Sequence, residues 1–346
     1  MPDCLTVIIS GPLSPRAEGA LNAALWGRAF RRASPAEDLR NRRLLFAVSL
    51  PESGVSHELL DLLDHLRTHP GCLQGCAGGI LVDGGPLYTK AAGRDLALAA
   101  SLAGCALPGR PLVEGAGELQ NFTVQAKNAG CGLEEAYHLA AADLAGRVLA
   151  FSPPGRKRPK LLALHASSRA TSNTLALWSW CRSRLEDRCD IREIGLRNGT
   201  VADCAGCPYT ACLHFGERED CFYGGVMVEE VYPAIREADG VILLCPNYND
   251  ALSANLTAAV NRLTALYRAA PFTRTAVFAI VVSGYSGGDI VASQVVSAMN
   301  MNKGFWLPPR FCLLETANDA GTAMALPGIE ARLAAFCENL AAQMCL

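Results

Sequence analysis

Short apolar runs alternate with longer segments of helical period along the whole chain. In the first half Leu5–Ser10, Leu44–Ser49, Gly79–Asp83 and Pro111–Glu114 read as buried strands, and Glu18–Arg32, His57–Thr68, Gly93–Ala103 and Leu133–Leu149 as helices. The second half repeats the order. Its strands are expected at Leu161–His165, Ile191–Ile194, Gly240–Cys245, Ala276–Ser283 and Phe311–Glu315. Its helices are expected at Ser172–Leu185, Val228–Glu237, Ser253–Arg268, Ile290–Met299 and Gly328–Cys345. Strands alternating with helices imply right-handed crossovers and a mainly parallel sheet covered on both faces. The Pro- and Arg-rich stretch 152–159 reads as a linker, so the pattern predicts two doubly wound α/β domains, 1–151 and 160–346.

The two halves read as a repeat. VIISGPLSPRAEGALNAALWGRAF parallels LLALHASSRATSNTLALWSWCRSRL, and GGILVDGGPLYTKAAGRDLALAASLAG parallels DGVILLCPNYNDALSANLTAAVNRLTALY. In this register Glu18-Gly19-Ala20 stands where the second half has Ser172-Asn173-Thr174. A carboxylate there repels a phosphate, so the first domain is expected to be a degenerate copy without a cofactor site. Cys72 and Cys76, and Tyr88 and Lys90 after Pro86, read as relics or core filler.

Composition narrows the class. Of 346 residues, 50% are hydrophobic and 18% charged, with a formal net charge of −2, which is material for two cores and gives nucleic acid no basic face. The N-terminal Leu5–Ser10 run lacks a basic flank, and no apolar run reaches bilayer length. A cytoplasmic protein is expected. Fifteen cysteines in such a chain argue for reduced thiols, most of them in apolar surroundings.

Three loops carry candidate chemistry, each closing an apolar strand at the carboxyl edge of the second sheet. Ser167 to Thr174 passes from strand to helix N-terminus, where free N–H groups, the helix dipole and the side chains of Ser167, Arg169, Ser172, Asn173 and Thr174 suit a phosphate. Pro246-Asn247-Tyr248-Asn249 offers backbone groups and a planar surface to a flat ring. Ser283-Gly284-Tyr285-Ser286-Gly287-Gly288 lets backbone approach a ligand closely. Separately, each is compatible with an ordinary cap or turn.

Ser-Ser-Arg-Ala-Thr-Ser-Asn-Thr after a strand, then a cysteine group, then Ala-Asp-Gly-Val-Ile-Leu-Leu-Cys-Pro-Asn-Tyr-Asn, resembles the NAD(P)H-dependent FMN reductases of flavodoxin-like fold, and among them the iron–sulfur flavoproteins. The resemblance spans about residues 160 to 340. It implies two tandem flavodoxin-like domains, with FMN held by Ser167, Arg169, Ser172, Asn173, Thr174, Pro246, Asn247, Tyr248, Asn249, Ser283, Gly284, Tyr285, Gly287 and Gly288. NAD(P)H is the implied hydride donor. Cys204, Cys207, Cys212 and Cys221 match the cysteine loop of the iron–sulfur flavoproteins in place but not in spacing. A [4Fe-4S] cluster, zinc and no metal all stay open for them. The implied function is an FMN-dependent NAD(P)H oxidoreductase passing electrons to an unknown acceptor, as a homo-oligomer or as an internal pseudo-dimer of the two domains. A non-enzymatic flavodoxin-type electron carrier and a scaffold or regulatory protein with a vestigial flavin site are the alternatives. No catalytic acid or base stands out, because a flavin carries its own chemistry.

Overall fold

The computed structural model describes residues 4–167, 171–269 and 271–346. The chain forms two compact units, Met1–Ser152 and Pro153–Leu346.

In the first unit the elements run β1 (Cys4–Ser10), α1 (Pro15–Leu25), β2 (Ala29–Arg32), β3 (Arg43–Ser49), α2 (His57–Thr68), β4 (Cys76–Gly84), α3 (Thr89–Leu102), β5 (Cys105–Ala106), β6 (Leu112–Ala116), α4 (Thr123–Ala129) and α5 (Leu133–Ala150). The strands are parallel in the order β2-β1-β3-β4, and β5 and β6 then pair in turn with the start and end of β4. One face of the sheet packs Leu5, Val7, Leu45, Ala47 and Leu81 against Leu21 and Leu25 of α1 and Leu144 and Val148 of α5.

The second unit runs β7 (Lys160–His165), α6 (Asn173–Leu185), β8 (Asp190–Gly195), α7 (Tyr209–Gly216), α8 (Tyr232–Glu237), β9 (Gly240–Pro246), α9 (Ala254–Ala269), β10 (Ala276–Ser283), α10 (Gly288–Val295), β11 (Cys312–Thr316) and α11 (Ile329–Met344). Its five strands are parallel in the order β11-β10-β9-β7-β8. Numbered from the unit's own start, that is 2-1-3-4-5, the flavodoxin-like order whose switch point lies between the first and third strands. Residues 153–159 belong to this unit: Arg156 donates its N–H to Met344 O and accepts from Leu346 N, beside the end of α11.

The first unit has the same strand order, with its fifth strand broken into β5 and β6. This revises the expected register in two ways. Helix α1 starts at Pro15, not Glu18, because Ser14 caps it by accepting from Ala17 N and Pro15 occupies the first turn. It also ends early. Gly27 at φ 68° turns the chain into β2, an exposed edge strand whose Ala-Phe-Arg-Arg sequence lacks apolar alternation.

Because β2 was not legible, the second pair of repeats is displaced by one βα unit. Strand order and register set β3 against β9 and β4 against β10, so Leu50 to Ser56 corresponds to Asn247 to Ser253, and Asp83 to Val282. The N-cap Ser14 corresponds to the N-cap Ser172, and Arg16 to Thr174. Cys72 precedes β4 and Cys76 begins it, so neither has a counterpart in the cysteine loop. That loop lies between β8 and β9, where the first unit has only residues 33–42.

At the carboxyl edge of the first sheet, Arg16 reaches over the strand ends. Its Nε donates to Asp83 Oδ2 at 2.7 Å, and it also donates to the carbonyls of Gly84, Gly115 and Gly117. Ser14 Oγ donates to Asp83 Oδ1 at 2.9 Å. Gly115 is required here, since a Cβ would come within 2.3 Å of Asp83 Oδ2. The edge is thus filled by an ion pair, not barred by Glu18, which lies one turn into α1 with its N–H on Ser14 O.

Candidate functional site

Strand β7 is buried from Leu161 to His165, so the chain must leave the sheet before it can expose polar groups. It does so at Ala166 and Ser167. Arg169, with Ser168 and Ala170, lies outside the described residues. Ser172 then caps α6, its Oγ accepting from Leu175 N, and also bonds Ser167 Oγ at 3.2 Å and Thr174 Oγ1 at 3.0 Å. Three hydroxyls therefore converge at a helix N-terminus whose first amides have no partner within the helix. Asn173 acts differently from expectation. Its Nδ2 donates to Ala317 O and Asp319 O and its Oδ1 accepts from Ala323 N, which ties the helix start to the loop after β11.

The second loop is a two-residue hairpin turn. Tyr248 and Ala251 exchange N–H···O bonds, with Asn249 and Asp250 at φ 55° and 56° between them, the mirror-image turn that Asn and Asp tolerate. Asn247 Nδ2 donates to Ser283 Oγ at 3.1 Å and to Ser286 O at 2.9 Å, which locks this loop to the third. Gly287, at φ 81°, makes that contact possible: a Cβ would lie 1.9 Å from Asp250 Oδ1. Tyr248 and Tyr285 stand on the rim, 60% and 81% exposed.

One cavity of about 690 Å³ opens between these loops. Ser167, Ser172, Asn173, Thr174, Pro246, Asn247, Tyr248 and Gly284 of the expected set line it. Asn249, Ser283, Tyr285, Gly287 and Gly288 are not on its wall; those in the second and third loops hold them in shape. Further lining comes from Asn198 after β8, Ser253 to Asn255 at the start of α9, and Ala317, Asn318 and Ala320 after β11. The rule that ligands sit beyond the carboxyl ends of strands would have included the β8 and β11 ends, had it been applied to every strand. Two buried polar atoms on residues of the wall stand out. Asn247 Oδ1 and Ser253 Oγ have no hydrogen-bond partner among the described residues. Since Asn247 Nδ2 already faces oxygen acceptors, its Oδ1 is fixed as an acceptor.

The cysteine loop is shaped otherwise than expected. Cys204 and Cys207 lie in irregular chain, Cys212 in α7 and Cys221 in a turn, and Cys204 is exposed. Among the described residues no group of three or more His, Cys, Asp or Glu is gathered as a metal site. Helix α7 accounts for this: it lies close on α9, where a Cβ on Gly216 would meet Ala265 O at 2.4 Å, so Cys212 is held by the packing of its helix. Two other side chains link the thiols. Burial raises the Tyr232 phenol, as does the neighbouring Cys221, and Cys212 is also close by. Burial lowers the Lys303 ammonium, against the attraction of Cys204.

A helix N-terminus with three converging hydroxyls, a rim of planar groups and a polar cavity therefore meet at the carboxyl edge of a 2-1-3-4-5 sheet. Residues 159–319 match the NADPH-dependent FMN reductase family. The match takes in all three loops and the cysteine loop and does not reach the first unit. Solved structures similar to this unit include RosB with a bound 8-demethyl-8-formylriboflavin-5'-phosphate intermediate, at 13% identity over 54% of this chain and 78% of that one, TM-score 0.41. They also include the apo NADH:FMN oxidoreductase EMOB, at 15% identity over 54% and 90%, TM-score 0.38. An NAD(P)H:quinone oxidoreductase from Methanothermobacter marburgensis is similar at 12% identity over 52% and 96%, TM-score 0.38. No curated protein matches the chain. Among the described residues no helix is long and apolar enough to cross a membrane.

Proposed function

We infer that the second unit binds FMN in the 690 Å³ cavity and works as an NAD(P)H-dependent flavin oxidoreductase. The observation that carries this is the pair of buried polar atoms, on residues of the wall, that have no partner among the described residues. Leaving a buried acceptor and a buried hydroxyl unsatisfied costs about 1–3 kcal/mol each, and the polar edge of a flavin ring supplies partners for both. Ser167, Ser172 and Thr174, with the first amides of α6, form the phosphate seat. When bound, FMN supplies hydride acceptance from a nicotinamide. The protein's part is to seat the phosphate, orient the ring against Asn247 and Ser253, and exclude water. The first unit, its edge filled by Arg16 and Asp83, takes no flavin in this reading.

Fluorescence titration with FMN tests the site. Wild type should quench the flavin, and Ser253→Ala and Asn247→Leu should each weaken binding; retention of no flavin at saturating FMN overturns the reading. Anaerobic stopped flow with NADH and NADPH then separates an enzyme from an electron carrier, since only the enzyme bleaches the flavin at either nicotinamide.

The cysteine loop has the donors of a [4Fe-4S] cluster but not, in this conformation, its geometry, so no electron is routed through one here. Two cations in the loop's surroundings, Lys303 and the buried Arg262, support an anionic thiolate centre. Arg262 Nη2 donates to Gly224 O while its Nε has no partner among the described residues. Anaerobic loading with iron and sulfide, read by absorption in wild type and Cys212→Ser, decides whether the loop closes on a cluster. Tyr248 and Tyr285, exposed on the second and third loops, and Ile290, exposed in the first turn of α10, suit the homo-oligomer expected from the resemblance, and light scattering reads it.

A further inference from the structure

His165 ends β7 one step before the phosphate loop, and its ring is nearly buried. Its Nδ1 lies 3.0 Å from Ser167 O, and its Nε2 lies 3.5 Å from Glu193 Oε1 on the neighbouring strand β8. A carbonyl oxygen only accepts, so Nδ1 carries a hydrogen. An ionised carboxylate also only accepts, so the surroundings are best satisfied when Nε2 carries one too. Glu193 is itself held in place: its Oε2 accepts from Trp178 Nε1 at 2.8 Å and faces Arg182 Nη1 at 3.5 Å, both on α6. Gly195 packs against the imidazole, where a Cβ would stand 3.2 Å from Cε1. On the open side, His165 shares the wall of a second cavity of about 970 Å³ with Arg197, Glu229 and Glu230.

We propose that His165 is a positioning residue for the flavin's phosphate: its imidazolium, held by Glu193, fixes the Ser167 carbonyl and sets a positive charge beneath the loop. The proposal rests on the FMN reading. Among the described residues neither ring nitrogen faces a donor, so the ring acts here as a donor. Ser167 Oγ in turn receives the Ser172 hydroxyl, so the imidazole braces the hydroxyl set that meets the ligand. Electrostatics adds to this, because a phosphate ester carries close to two charges at neutral pH and a nearby cation favours it.

The test compares wild type, His165→Asn, which keeps a donor toward Ser167 O, and His165→Leu, which keeps none. Glu193→Gln is the fourth protein; it removes the carboxylate charge but can still accept from Trp178. Dissociation constants for FMN, and for riboflavin, which lacks the phosphate, are measured across roughly pH 5–8, where histidine changes charge. The phosphate's own ionisation is shared by all four proteins, so the informative quantity is the ratio of variant to wild type. At the acid end His165→Asn should bind FMN about tenfold weaker, the scale of one partly screened charge pair. That ratio should fall toward one as pH rises. His165→Leu should remain weaker at every pH, Glu193→Gln should behave as His165→Asn does, and riboflavin affinity should stay level across the set. Equal FMN affinity and pH profile in His165→Asn and His165→Leu overturn the proposal and leave the FMN site standing, as does an equal loss for FMN and riboflavin. A wild type that binds neither ligand overturns the FMN reading and this proposal with it.

Discussion

Removing Arg16 should unfold the first unit at lower denaturant while leaving the second unchanged. The Asp83 side chain is 4% exposed and that of Arg16 27%, so Arg16→Met leaves a carboxylate in the interior without a cation, beside the Ser14 hydroxyl and the buried Tyr137 phenol. Breaking such a pair from one side costs about 3–5 kcal/mol. Asp83→Asn is milder, about 1–3 kcal/mol, because Arg16 keeps three carbonyl partners and some access to water. A single melting curve would mix the two units, so the assay is hydrogen exchange by mass spectrometry across a urea series, with peptides of 4–152 and 153–346 followed separately. The Arg16→Met/Asp83→Leu double variant should recover much of the loss, since an apolar replacement removes the stranded charge. A shift below about 0.5 kcal/mol in Arg16→Met, within the range of an ordinary surface substitution, would refute the claim that this pair is desolvated and structural.

Gly287→Ala combines a positive φ with a Cβ 1.9 Å from Asp250 Oδ1, so it should displace the second loop and weaken FMN binding by tenfold or about that; titration by flavin fluorescence checks it. Arg332 donates to both oxygens of Glu315 at 2.6 and 2.8 Å, and the carboxylate is buried at the end of β11. Arg332→Met should therefore lower protection in the second unit only, by about 3 kcal/mol. Burial pushes the Cys76 thiol up to about 11 and that of Cys245 higher still. The folded chain then keeps protons that the unfolded chain gives up above about pH 8.5, so stability is full below that value. It should fall as pH rises toward 11, by about 1.4 kcal/mol per pH unit for each thiol, which urea midpoints taken under reducing conditions measure. Native alkylation followed by peptide mapping should find exposed Cys204 modified well before either.

The parts of the fold that bury alternating or continuous apolar runs were legible from the chain. Helix His57–Thr68 and strand Ala276–Ser283 stand at their expected limits. What escaped was carried by pairing, not by composition. The Ala-Phe-Arg-Arg edge strand earns its place through hydrogen bonds to β1 alone, and missing it displaced the repeat by one unit. At the site, the loops could be found because strand ends, glycines and caps have local signatures. The partners of Asn173 and Asn247 could not, since they lie 144 and 36 residues away. The place of the four cysteines in the chain suggested a ligand set, while the helix Tyr209–Gly216 between the second and fourth thiols depends on packing against α9.

The matching strand order and register of the halves make Arg16 and Asp83 the counterparts of Thr174 and Val282. The edge proposed to hold a flavin and the self-sealed one thus differ, at these positions, by an arginine for a threonine and an aspartate for a valine of the cavity wall. Thr174→Arg together with Val282→Asp would transplant the seal and retire the pocket while keeping its scaffold. After a duplication, one copy could therefore give up its ligand within a few substitutions and survive as a folded body free to diverge.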